Sequence, residues 1–164
     1  MHIYKLNNRR GFSLIELIIV VAILGIMATL SAFAYQSYVN NSNLRTAARD
    51  MASDMANTKQ KAVSEGLCYR MTISTSGNNY TIEQGNATCT TCATCTYTVM
   101  ATKIPSTFGA NLTISSTTYP SNIITLQPRG TISAGAVVLR NSRGSTATIT
   151  SNITGRTHVA FAIL

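Results

Sequence analysis

The sequence predicts an α+β protein in which a long N-terminal helix, with a membrane half and an amphipathic half, packs on a β-rich globular head. Three observations carry this reading. Leu17 to Ala34 is a run of eighteen residues without a formal charge. Apolar residues then recur at helical spacing as far as Val63. From Leu67 onward the pattern changes to short strands separated by turn residues. Of the 164 residues, 45% are hydrophobic and many of these lie in the helix, which leaves about one hundred residues for one small head.

The apolar run is broken only by Gly25, Thr29 and Ser31, and at about 1.5 Å per residue it spans most of a bilayer core. Lys5, Arg9 and Arg10 precede it, and no acidic residue stands before Glu16. The positive-inside bias therefore holds the first eleven residues in the cytoplasm and sends the head across the membrane. Glu16 sits where hydrocarbon should be uninterrupted, and an unpaired acidic residue at the centre of a membrane helix costs roughly 2.5 to 3.5 kcal/mol. A neutralising partner would relieve that cost, as would snorkelling to the headgroups. Ala32-Phe33-Ala34 also fits a general secretory cleavage site, which would release a binding domain beginning at Tyr35. The length of the run and the continuing helical pattern favour retention of the helix.

Past the polar Asn40-Asn41-Ser42-Asn43, the residues Leu44, Ala47, Ala48, Met51, Ala52, Met55, Ala56, Ala62 and Val63 form one helical stripe suited to packing beneath a β-sheet. No proline lies between Phe12 and Glu65, and Gly66 is a good C-terminal stop, so one helix of about 80 Å is allowed. The expected segments are 1–11, 12–35, 36–65 and a head at 66–164. Strands are predicted at Leu67 to Ser74, Tyr80 to Gln84, Thr96 to Thr102, Asn111 to Ser116, Ile123 to Gln127, Ala136 to Asn141, Ala147 to Ser151 and His158 to Ile163. A hairpin turn at Thr75 to Asn79 joins the first two. Pro105, Tyr119-Pro120, Pro128-Arg129-Gly130, Asn141-Ser142-Arg143-Gly144 and Thr154-Gly155 mark the other turns.

Arg10-Gly11-Phe12-Ser13-Leu14-Ile15-Glu16 resembles the class III signal of type IV prepilins and type II secretion pseudopilins. The resemblance implies cleavage between Gly11 and Phe12 by a prepilin peptidase, N-methylation of Phe12, and a pilin-like fold. It also implies a single-pass protein in inner-membrane lipid, with a cytoplasmic N-terminus and a periplasmic head. Such a protein is handed by an inner-membrane assembly platform to a pilus or pseudopilus of other pilins or pseudopilins. Glu16 of an entering subunit then meets the new amine on Phe12 of a neighbour. The missing helix-kinking proline fits pseudopilins and minor pilins.

Leu126-Gln127-Pro128-Arg129-Gly130, the hairpin Val137 to Gly144, and Gly155-Arg156 resemble the GspH/FimT branch of these proteins. Its FimT side is associated with DNA binding during uptake through a closing G-R-x-R segment, here Gly155-Arg156-Thr157-His158. His158 replaces the second arginine and is mostly neutral at pH 7. After Glu83 the chain has no Asp or Glu but carries Lys103, Arg129, Arg140, Arg143 and Arg156. These five and His158 are the candidate DNA contacts. The plainer readings are solvated charges on a Ser/Thr-rich sheet, a simple β-turn at Pro128-Arg129-Gly130, and an ordinary strand residue at His158.

Cys68, Cys89, Cys92 and Cys95 all fall on the exported side, where an even number favours disulfides. One bridge is expected from Cys68 to the later loop, with the partner undetermined. Two overlapping C-x-x-C spacings raise metal or haem binding. No second C-x-x-C pair exists elsewhere, and no histidine comes directly after either motif, so neither a metal nor another cofactor is expected. Asp50, Asp54, Glu65, Glu83 and the one head histidine form no catalytic constellation. The chain reads as a structural and interaction protein rather than an enzyme. Three functions are compatible with it: a minor pilin with DNA contact, a GspH-like pseudopilin of type II secretion, or a secreted domain.

Overall fold

The computed structural model describes residues 12–89, 91–109 and 111–164, and for residues 30–34 the backbone alone. The leader, with Gly11 and its basic residues, lies outside the described residues. Helix α1 runs Leu14–Glu65 and contains no proline. It passes through the polar Asn40 to Asn43 stretch, where the Thr46 hydroxyl donates back to the Ser42 carbonyl at 3.1 Å. Gly66, at φ 68°, ends it in the left-handed conformation that glycine adopts without steric cost.

The chain forms two compact units, the first ending at Ser37 and the second comprising Tyr38–Leu164. In the first, large apolar side chains from Leu14 to Met27 are all 47 to 76% exposed. They occur at nearly every position, so they cover every side of the helix rather than one stripe. Among the described residues no helical stretch is long and apolar enough to cross a membrane. The predicted span Leu17 to Ala34 reaches into residues 30–34, whose side chains are outside the described ones.

Among the described residues of the second unit, eight strands form two antiparallel sheets. One has the order β3-β2-β1-β5, from β1 Tyr69–Ser74, β2 Asn79–Gly85, β3 Tyr97–Lys103 and β5 Ile123–Leu126. The other has the order β4-β6-β7-β8, from β4 Thr113–Thr117, β6 Gly135–Arg140, β7 Thr146–Ser151 and β8 Thr157–Ala162. Each predicted strand has a counterpart, displaced by two residues or fewer at its start. The predicted turns at Pro105 and Pro120 are short 3-10 turns.

Both sheets share one core with the helix. Leu44, Ala47, Ala48, Met51, Met55 and Ala62 of α1 are buried together with Met71, Ile73, Ile124 and Leu126 of the first sheet and Val137, Leu139, Ala147 and Ile149 of the second. The expected stripe needs correction at its far end, because Ala56 and Val63 are exposed. Thr58 occupies the buried position between Met55 and Ala62. Its hydroxyl is satisfied by donating to the Asp54 carbonyl at 2.6 Å, which permits a polar residue inside the stripe.

Candidate functional site

Phe12 precedes α1 and is 79% exposed, and Glu16 is exposed in the first helical turn. A carboxylate there faces the unpaired N–H groups and positive end of the helix dipole, a favourable position in itself. Around it stand Leu14, Ile15, Leu17 and Ile18, all exposed. The geometry therefore sets a carboxylate within an exposed apolar surface.

The four cysteines pair as Cys68–Cys92 and Cys89–Cys95. The first bridge ties the residue before β1 to the loop between β2 and β3, as the sequence led us to expect, and identifies Cys92 as the partner. Sulfurs of Cys68, Cys89 and Cys95 lie within 4.8 Å of one another, so the two bridges are neighbours. None of the four is a free thiol, so the overlapping C-x-x-C spacings present no thiolate to a metal.

All four carboxylates of the head are engaged by groups of the first sheet. Asp54 accepts from the Tyr80 hydroxyl at 2.8 Å and pairs with Lys103 at 3.4 Å, and Asp50 lies 3.8 Å from the same ammonium. Glu65 accepts from the Tyr69 hydroxyl at 2.6 Å and from Gln84 at 2.8 Å. Burial, together with the hydrogen bond and charge of Glu65, pushes the Tyr69 phenol up to about 12; burial and Asp54 push Tyr80 up as well. Glu83 accepts from Thr81 and from Arg70, whose guanidinium also stacks over the Tyr97 ring at 4.1 Å. Burial alone would raise the Glu83 carboxyl, but these hydrogen bonds and the Arg70 charge outweigh it and hold it below its usual range. Lys103, one of the predicted DNA contacts, is thus committed to the helix carboxylates.

The remaining predicted cations fall at opposite ends of β7. Arg140 and Arg143 are exposed beside the β6–β7 turn. That turn is fixed to the start of the head helix, since Asn141 Nδ2 donates to Asn41 Oδ1 at 2.9 Å. Arg156 comes after the β7–β8 turn, closed by Asn152, whose Oδ1 accepts from the Arg156 N–H at 2.9 Å. The six residues of β7 put these turns roughly 20 Å apart. The structure therefore does not bring Arg143 and Arg156 together. His158 is exposed on β8, opposite Thr150, and Arg129 is exposed in the Pro128-Arg129-Gly130 turn.

Near that second end stands Lys59, which the sequence pattern does not single out. Its ammonium donates to the Gly155 carbonyl at 3.2 Å, across 96 residues of chain. Nothing local in the sequence marks such a partner. Only the packing of the β7–β8 turn against α1 does.

Two family models match: the one described as the prokaryotic N-terminal methylation motif covers residues 6–32, and the one described as type II transport protein GspH covers residues 47–155. In sequence, the chain is 42% identical over 48 residues to the type IV major alpha-pilin of Moraxella bovis, covering 29% of this chain and 30% of that protein. It is 44% identical over 57 residues to the fimbrial protein EcpC of Eikenella corrodens, covering 35% and 34% respectively. These matches span about a third of each relative's length. In structure, the minor pseudopilin EpsH of Vibrio cholerae superposes with a TM-score of 0.58 at 9% identity, over 73% of this chain and 97% of that one. The type IV minor pilin FimU of Pseudomonas aeruginosa gives 0.52 at 14% identity, over 71% and 92%. With a family model spanning well over half of the chain, an N-terminal methylation motif ahead of it and a pilin-type fold, the protein belongs to the GspH family of pilin-like, non-enzymatic structural proteins.

Proposed function

We propose that the chain is a minor pilin of a type IV pilus, anchored in the inner membrane by its N-terminal helix and carried into the filament by it, with its acid-free half contacting DNA during uptake. The observation that carries the assembly part is the fully exposed apolar helix surface interrupted by Glu16. After cleavage before Phe12, the Glu16 carboxylate of an entering subunit meets the Phe12 amine of its neighbour in the low-dielectric helix bundle. The prepilin peptidase and the assembly platform act before that step, with the head on the periplasmic side. Replacing Glu16 by Ala should leave membrane insertion and leader removal intact while abolishing incorporation into filaments. Normal incorporation of Glu16→Ala in sheared-pilus fractions sinks this role. N-terminal sequencing of the mature protein should return Phe12; Tyr35 would instead identify a released domain.

A second reading, a GspH-like pseudopilin of type II secretion, is favoured by the likeness to EpsH over nearly all of that chain. Deletion separates the two: loss of pili and of DNA uptake supports the pilus, and loss of exoprotein secretion supports the pseudopilus.

A further inference from the structure

The two disulfide bridges touch. The Sγ atoms of Cys68, Cys89 and Cys95 lie within 4.8 Å of one another, so both sulfurs of the Cys89–Cys95 bridge are neighbours of Cys68, which belongs to the other bridge. Gly85 of β2 makes this approach possible. Its N–H donates to the Cys68 carbonyl at 2.7 Å, and a Cβ there would stand 2.9 Å from that carbonyl oxygen and 3.2 Å from Cys95 Sγ. Cys68 is buried, whereas Cys89, Cys92 and Cys95 are half-buried. An open cavity of about 400 Å³ lies between the end of α1, the β2–β3 loop and the Pro128-Arg129-Gly130 turn, and Cys68, Cys89 and Cys92 all line it. Among the described residues of that lining, Arg129 is the one that carries a charge.

We propose that this cavity is a thiol-exchange site, in which a small monothiol enters at Cys89 and the four sulfurs then change partners as one unit. An incoming thiolate bonds to Cys89 Sγ, and the Cys89–Cys95 bond breaks with its electron pair on Cys95. The Cys95 thiolate bonds to the neighbouring Cys68 Sγ, and the Cys68–Cys92 bond breaks with its pair on Cys92. Cys92 then bonds to Cys89 and expels the monothiol as thiolate, which takes back the proton that it gave up on entering. Nothing is oxidised or reduced overall, and the product carries Cys68–Cys95 and Cys89–Cys92. Proximity drives the middle step, because sulfurs held this close exchange without a bimolecular encounter. The Cys92 thiolate leaves into the cavity that Arg129 lines, and a nearby cation favours the thiolate form. The rearrangement moves the anchor of β1 from the middle of the loop to its far end, beside β3. Among its described residues the loop adds nothing to the shared core, so no core packing opposes that shift.

The test incubates the full chain in detergent with reduced glutathione, blocks thiols with N-ethylmaleimide at intervals, and maps the bridges by mass spectrometry. Trypsin, cutting after Lys61, Arg70 and Lys103, separates Cys68 from the loop cysteines, and fragmentation of the linked peptides tells Cys92 from Cys95. Cys68–Cys95 together with Cys89–Cys92 should appear in the folded chain, about tenfold or more faster than in the same chain unfolded in urea. The original pairing alone, or rearrangement that is faster in urea, overturns the proposal. The variant Cys92→Ser isolates the middle step, since it leaves one free thiol beside the Cys89–Cys95 bridge. Its maleimide label should be shared between Cys68 and the loop cysteines; a label confined to Cys68 overturns the relay. Because the wild-type chain carries the first measurement, the outcome does not depend on how well the variant folds.

Discussion

At Glu83 two opposing effects meet, and their balance fixes how the head responds to acid. Burial disfavours the carboxylate, while hydrogen bonds from Thr81 and Arg70 and the Arg70 charge favour it more, so the folded-state value lies below the unfolded one. A group depressed in this way stabilises the fold fully above its unfolded pKa, about 4.3 for Glu. That contribution is lost as the pH falls through the lower, folded value. Glu83→Gln should therefore reduce stability at neutral pH and flatten its fall below about pH 4. Urea unfolding at a series of pH values checks this; parallel acid profiles for variant and wild type would refute it. The pair was only half legible in the sequence. A five-residue turn from Thr75 to Asn79 would have set Arg70 opposite Gln84, whereas Asn78, at φ 49°, shortens the turn and sets Arg70 opposite Glu83. A slip of one residue reverses every side chain of a strand, so the turn decides which groups meet.

Among the elements, the loop between β2 and β3 depends most on covalent chemistry. Among the described residues from Asn86 to Thr96, the loop contributes Cys89, Cys92 and Cys95 and a few local hydrogen bonds, and no member of the shared core. Cross-linking across a separation of 24 residues restricts the unfolded chain by roughly 3 kcal/mol, and across 6 residues by roughly 2 kcal/mol. The double variant Cys68→Ala/Cys92→Ala should thus lose more stability than Cys89→Ala/Cys95→Ala in urea titrations; the reverse order would contradict the pairing. An even cysteine count and the export expected from the N-terminal pattern were enough to expect bridges, but the partner of Cys68 depends on how the loop folds, which no spacing states. The basic turns teach a related point. Successive turns of an antiparallel meander alternate ends, so Arg143 and Arg156, one turn on each side of β7, cannot share a surface. The strand succession in the sequence already implied this, whereas the approach of the Gly130 and Gly155 turns to Lys59 was not contained in it.

Across the whole head, the helix is the wall that both sheets share, and this has a consequence for how the head unfolds. The two sheets have separate strand orders, so each could in principle open alone. Yet Met51 and Met55 are buried in the same cluster as Met71 and Ile124 of one sheet and Leu139 and Ile149 of the other. The recurrence of apolar residues along α1 was readable in the sequence, as was the number of strands. The division into two sheets was not, because β5 pairs with β1 across roughly fifty intervening residues. Truncating a buried methionine costs about 2 to 5 kcal/mol, with the spread set by how far the cavity collapses. Met55→Ala should therefore weaken both sheets together, since the cavity opens in a cluster to which each contributes. Native-state hydrogen exchange reads this directly: amides of β1 and of β7 should lose protection by similar factors. If β7 kept its wild-type protection while β1 lost its own, the two sheets would be separate cooperative units and the helix would serve only one of them.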